Sequence, residues 1–275
     1  MLKTLAATVV AALATIGLTS PVAEAATLDY VALGDSYSSG LGAGSYLGSS
    51  SCHRSSNAYP VLYAAQASAS LDFVACSGAR TSDVLNNQVS ALSAGTDLVT
   101  ITVGGNDVDY VGDLTLLVYE HRGGFVGSLL RLFWKGPRSV EQRDFKRVHD
   151  NMGMILSEIK RRAPRAQIVV ATYPTIVPLN GSCLALGISD EEAALMREVG
   201  EKLVEVTQSS AREANVTLIN MAALSIAHDA CSPEPWVNAA RAQHGVAFHP
   251  TLAGAKATAQ QINEVLKNGV HLPVS

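Results

Sequence analysis

Four short clusters carry side chains suited to acyl transfer: Gly34-Asp35-Ser36, Cys76-Ser77-Gly78, Gly104-Gly105-Asn106-Asp107 and His249-Pro250. Cleaving an ester through a serine requires a neutral imidazole within hydrogen-bond reach of the hydroxyl. It also requires two or three fixed donors for the oxygen that turns negative. Ser36 supplies a hydroxyl at a strand-to-loop junction, and His249 supplies an imidazole in the loop before the last helix. Gly78 has no Cβ and can bring a bare N–H up to a substrate oxygen, while Asn106 offers a side-chain amide. Taken singly, each residue also has an ordinary use in a turn, a cap or a solvated loop.

These clusters need a scaffold that gathers them at one edge. Continuous apolar runs at 28–33, 73–75, 97–103, 167–173 and 216–221 read as five strands buried on both faces. Helices are expected at 56–69, 140–163, 189–215 and 251–267. In the second of these, Val148, Met152, Ile155 and Ile159 fall on one face. Ser189 reads as the N-cap of the third, with Asp190, Glu191 and Glu192 in its first turn. Strands alternating with helices predict an α/β fold with a mainly parallel five-stranded sheet. Functional groups in such sheets lie beyond the carboxyl ends of the strands, where 34–36, 76–78 and 104–107 fall.

Composition bounds the rest. The 275 residues are 48% hydrophobic and 16% charged, with a formal charge of −4. That excludes a disordered chain and argues against a nucleic-acid partner. Met1-Leu2-Lys3, the apolar run 5–18 and Ala23-Glu24-Ala25 have the form of a secretory signal peptide cut after Ala25. The run is shorter than the ~20 residues a membrane span needs. Residues 26–275 are then expected to form one exported, monomeric domain. In an oxidising compartment the four cysteines read as two disulfides with three possible pairings. Cys52–Cys76 and Cys183–Cys231 are preferred, because each closes a loop between neighbouring elements. The seven histidines are scattered without metal-ligand spacing, so no metal or cofactor is expected.

The four clusters, in this order, resemble the sequence blocks of the SGNH (GDSL) hydrolases over essentially the whole mature chain. The stretch Cys52-His53-Arg54-Ser55-Ser56-Asn57-Ala58-Tyr59-Pro60 is similar to one in the family's secreted bacterial lipase and esterase branch. The chain also lacks the Gly-x-Ser-x-Gly of a nucleophile elbow. The resemblance implies a flavodoxin-like three-layer α/β/α sandwich, with Ser36 as nucleophile and His249 as base. It implies an oxyanion hole of the Ser36 N–H, the Gly78 N–H and the Asn106 side chain. The expected activity is hydrolysis of carboxylic esters, lipids included. Thioesterase or carbohydrate deacetylase activity on the same site, or a non-catalytic extracellular binding role, are the alternatives. The family often places an Asp three residues before the histidine, but here that residue is Val246. The Val246 backbone carbonyl is expected to orient the imidazole instead, as in some secreted members, with Asp229 as the competing candidate.

An insertion at 111–139 is rich in apolar residues, among them Phe125, Leu129, Leu132, Phe133 and Trp134. From Arg122 to Arg165 there are 11 Lys or Arg against four Asp or Glu, a local balance of +7, so the rest of the chain carries −11. Two readings stay open: a lid or transient lipid contact that attracts anionic head groups, and a solvated helix face with a packed hairpin.

Overall fold

The computed structural model describes residues 27–241 and 245–267. The expected signal peptide and its expected cleavage site lie outside the described residues. Five strands, β1 (Asp29–Gly34), β2 (Ser70–Phe73), β3 (Leu98–Thr102), β4 (Gln167–Ala171) and β5 (Thr217–Ile219), form a sheet in the order β2-β1-β3-β4-β5. Every neighbouring pair is parallel. The helical segments are α1 (Ser36–Ser39), α2 (Tyr59–Ala67), α3 (Thr81–Asp83), α4 (Tyr110–Arg122), α5 (Gly124–Phe133), α6 (Phe145–Arg162), α7 (Asp190–Glu213), α8 (Met221–Leu224) and α9 (Leu252–Lys267).

Two-sided burial explains the unbroken apolar strands. Val31 and Leu33 of β1, with Val99 and Ile101 of β3, pack against Val148, Met152, Ile155 and Ile159 of α6 and Val199 and Leu203 of α7. The intervening Tyr30, Ala32 and Leu98 face Tyr59 and Tyr63 of α2 and Ala259 and Ile262 of α9. Side chains alternate across a strand, so one short run feeds two cores and the result is an α/β/α sandwich. Each Val, Leu, Ile or Met side chain buried in these layers contributes roughly 1.5–3 kcal/mol.

Several boundaries differ from the sequence reading, among them those of one strand and one helix. The strand expected at 73–75 is β2 at Ser70–Phe73. It is one of the two edge strands and pairs only with β1, so half of it meets solvent and its sequence alternates Ser-Leu-Asp-Phe instead of running apolar. The helix expected from 140 starts at Phe145, where the Asp144 side chain accepts from the Arg147 N–H at 2.9 Å. The insertion folds as α4 followed by α5. Both preferred disulfides are present, Cys52–Cys76 and Cys183–Cys231.

Candidate active site

The exit of β1 is fixed by sterics. Gly34 has φ +126°, and a Cβ there would lie 2.3 Å from the Thr102 carbonyl oxygen and 2.4 Å from Ser38 Oγ. Glycine alone allows β1 to end this close to β3. Gln88 clamps the same residue, accepting from the Gly34 N–H at 2.7 Å and donating to its carbonyl at 2.9 Å. Asp35 then caps α1, its Oδ1 accepting from the Tyr37 N–H at 2.9 Å. Its Oδ2 accepts from the Tyr173 hydroxyl, which itself accepts from the Gly105 N–H at 2.9 Å. Burial is the largest influence on Asp35 and, against these hydrogen bonds, raises its pKa to about 7.

Ser36 opens α1 and is buried to within 6% exposure. His249 comes from the far end of the chain, and its Nε2 lies 3.0 Å from Ser36 Oγ. Its Nδ1 lies 2.8 Å from the Ala247 carbonyl oxygen. A carbonyl only accepts, so Nδ1 carries the proton and Nε2 presents its lone pair to the serine. Burial is also the largest influence on His249 and lowers its pKa to about 4, with the Ala247 carbonyl pulling the other way. The imidazole is therefore neutral over the whole range above that value.

The orienting carbonyl is not the one expected. Val246 O instead accepts from the backbone N–H of His249 at 3.2 Å. That tight turn uses up the carbonyl three residues back and leaves the Ala247 carbonyl facing the ring. Asp229 makes no hydrogen bond to His249 among the described residues; its Oδ1 accepts from the Cys231 N–H at 2.7 Å.

The other two clusters converge on the same edge. Gly78 has φ +82° with open space where a Cβ would point. Neither its N–H nor that of Ser36 has a protein acceptor among the described residues. Asn106 Nδ2 donates to the Ala79 carbonyl at 2.9 Å, which holds the amide beside the Gly78 loop. One N–H of that amide remains for another acceptor.

Several residues that build this geometry were not singled out by sequence. Asp107 accepts from Thr81 through its N–H at 2.9 Å and its hydroxyl at 2.6 Å, locking the Asn106 loop to the segment after Gly78. Asn238 brackets the histidine: its N–H donates to the His249 carbonyl at 2.8 Å, its Nδ2 to the same carbonyl at 2.9 Å, and its own carbonyl accepts from the Phe248 N–H at 2.7 Å. Tyr37 donates its hydroxyl to the Phe248 carbonyl. Only one sequence signal pointed this way: Asn238 and Tyr173 are polar groups next to apolar runs, and buried polar groups need partners.

A profile of the GDSL-like Lipase/Acylhydrolase family matches residues 32–257. The chain is 38% identical to "Lipase" of Streptomyces rimosus over 228 residues, 82% of each chain. Among solved structures it is similar to phospholipase A1 from Streptomyces albidoflavus NA297, at 35% identity and a TM-score of 0.72, covering 87% of this chain and 99% of that one. An extracellular lipase from Streptomyces rimosus matches with the same identity and TM-score, over 86% of this chain and 99% of that one.

Proposed function

The chain belongs to the GDSL-like lipase/acylhydrolase family, and on that premise we propose that it is an exported carboxylic-ester hydrolase working through Ser36 and His249. The observation that carries this reading is the 3.0 Å approach of His249 Nε2 to Ser36 Oγ. With Nδ1 on a carbonyl, the ring is a base aimed at the serine proton.

In the proposed sequence Nε2 takes that proton as Oγ attacks the ester carbonyl. The negative oxygen of the tetrahedral intermediate is held by the N–H groups of Ser36 and Gly78 and by Asn106 Nδ2. Groups already fixed before reaction cost no reorganisation during it, and losing one such donor typically slows an enzyme ~10²–10³-fold. Collapse expels the alcohol, which receives the proton from Nε2. Water then gives a proton to Nε2 and attacks the acyl-enzyme, and collapse releases the acid and returns the proton to Ser36. No step draws on a metal or cofactor. The Ala247 carbonyl fixes the tautomer of His249 but stabilises the imidazolium less than a carboxylate would.

Lipid esters are the favoured substrates, since the similar chains are a lipase and a phospholipase A1 by description. Export follows from the leader in the sequence, and among the described residues no helix is long and apolar enough to cross a membrane. The mature N-terminus of the secreted protein is expected to be Ala26, and residues 26–275 to act as one monomeric domain.

The test is labelling by a fluorophosphonate probe beside hydrolysis of p-nitrophenyl esters of rising chain length. Wild type should label and turn over, and Ser36→Ala should do neither. A folded wild type that fails to label would leave the family fold without the proposed nucleophile and favour an extracellular binding role.

A further inference from the structure

The three proposed oxyanion donors sit on three separate turns, and they act together only if those turns keep fixed separations. Two of the three separations are tied directly. Between the Ser36 and Gly78 turns, Ser39 Oγ lies 2.9 Å from Ser77 Oγ, and the Cys76 N–H donates to the Gly34 carbonyl at 3.0 Å. Between the Gly78 and Asn106 turns run the Asn106–Ala79 bond and the two bonds from Thr81 to Asp107. The separation of Ser36 from Asn106 has no such tie. The sheet holds it only as far as Thr102, whose carbonyl accepts from the Asp35 N–H at 3.0 Å and whose N–H donates to Ser38 Oγ at 3.1 Å. Among the described residues, no hydrogen bond runs directly between residues 35–39 and 103–107.

Tyr173 spans that gap. It follows the last residue of β4, Ala171, by two positions and is buried. Its hydroxyl accepts from the Gly105 N–H at 2.9 Å and spends its single proton on Asp35 Oδ2. The other carboxylate oxygen accepts from the Tyr37 N–H at 2.9 Å. One phenolic oxygen thus joins the residue before Asn106 to the residue before Ser36. Gly105 is gripped at its other backbone group too, where its carbonyl accepts from the Tyr110 N–H at 2.9 Å. The fit has no slack: a Cβ at Gly105 would lie 3.1 Å from both the Tyr173 oxygen and its Cζ. The Tyr173 ring itself is held edge-on by Tyr37, with centroids 4.6 Å apart. Phenylalanine would keep that packing, so what the hydroxyl adds is its two bonds.

We infer that Tyr173 is a positioning residue for ester hydrolysis, its hydroxyl setting the separation between the Ser36 turn and Asn106 and so the shape of the oxyanion hole. This rests on the ester-hydrolase reading above. Tyr173 makes no hydrogen bond to Ser36 or His249 among the described residues, so proton transfer is left to the Ser36–His249 pair. An oxyanion exists only once the ester carbonyl has been attacked. Donors drawn apart therefore weaken the transition state and leave binding of the ester unchanged.

The test is steady-state hydrolysis of p-nitrophenyl butyrate by Tyr173→Phe, with Tyr30→Phe as a matched control. Tyr30 also carries a buried hydroxyl, 2.7 Å from Thr100 Oγ1, but it lies in the core packed by α2 and α9. Both variants should lower Tm, and both are assayed at a temperature where circular dichroism shows them folded. Tyr173→Phe should reduce kcat about tenfold or more with KM within about twofold of wild type, whereas Tyr30→Phe should keep both constants. In an Asn106→Ala background the same Tyr173→Phe change should cost less than about threefold, because the donor it places is already gone. A kcat within about twofold of wild type for Tyr173→Phe overturns the inference. So does an equal fall in Tyr30→Phe, which would trace the loss to stability, or the full loss repeated in the Asn106→Ala background. The ester-hydrolase reading is tested separately in the same assay: it fails if wild type does not turn over or if Ser36→Ala does, and the inference then falls with it.

Discussion

At the scale of single residues, the chemistry turns on which atoms His249 faces. The pairing of Ser36 with His249 was legible in sequence because a hydroxyl and small turn residues fell at strand ends and an imidazole fell in the loop before the last helix. The acceptor behind the ring was not legible. Val246 and Ala247 carry identical carbonyls, and only the turn that ties Val246 O to the His249 N–H decides between them. Asp229 sits beyond that turn, paired with the Cys231 N–H. Asp229→Ala should accordingly keep kcat within about tenfold of wild type and cost about 1 kcal/mol of stability; a drop of ~10³-fold would reinstate it as the acid of a triad. Burial also moves the expected pH response. The proposed base works only when neutral, so activity is expected to fall as pH drops through the His249 pKa. An unperturbed imidazole would place that acid limb near 6.5, whereas burial puts it near 4. A kcat/KM profile for a soluble ester should stay level through pH 6, and a limb at the unperturbed position would mean that the ring is solvated in the working enzyme.

Among the elements, length and burial decided what could be read. The central strands and the long helices announced themselves, since β3 is buried throughout and α6 repeats its apolar face over about four turns, from Phe145 to Ile159. Short elements with mixed exposure did not. β2 alternates because it lies at the edge, and α1 is a single turn defined by its cap and by the glycine before it. The loop carrying His249 was readable only as a loop. Its shape depends on Asn238, eleven residues away and hydrogen-bonded to both Phe248 and His249. Phe248 has φ +61°, a conformation that costs a bulky residue roughly 1–2 kcal/mol and needs its surroundings to hold it. Asn238→Ala should therefore lower kcat about tenfold or more with little change in KM, because the base is displaced while the substrate surface is kept. A matching loss of fluorophosphonate labelling rate would tie the effect to the Ser36–His249 pair and not to substrate binding.

For the molecule as a whole, two buried titrating groups at one site set opposing proton balances. Unfolded, Asp35 ionises at its ordinary value of 3.8; folded, it holds its proton up to about 7. Stability from this group is lost as pH rises through that interval. His249 ionises at 6.5 unfolded and about 4 folded, so its contribution is present above 6.5 and lost as pH falls toward 4. Between 4 and 6.5 the two slopes offset each other. Asp35→Asn removes one of them, so the stability of the variant relative to wild type should rise between pH 4 and 7 and then stay constant. The total change is roughly 4 kcal/mol at ~1.4 kcal/mol per pKa unit. Thermal melts across that range check it, and a difference that does not vary with pH would show that Asp35 is ionised throughout.

The two disulfides both lie where the strands end. Cys52–Cys76 ties the loop after α1 to the segment leading into Gly78, and Cys183–Cys231 ties the loop before α7 to the chain after β5. Neither crosses the sheet, and only Cys183–Cys231 packs at the margin of an apolar core. In a reducing cytoplasm, then, the sandwich should assemble while the mouth of the site stays loosely arranged. Synthesis and activation would be separated by the export step itself, and the producing cell's own membrane esters would be spared while the chain is still inside. Protein kept reduced should show native far-ultraviolet circular dichroism but weak turnover, and should regain activity on oxidation with no refolding step.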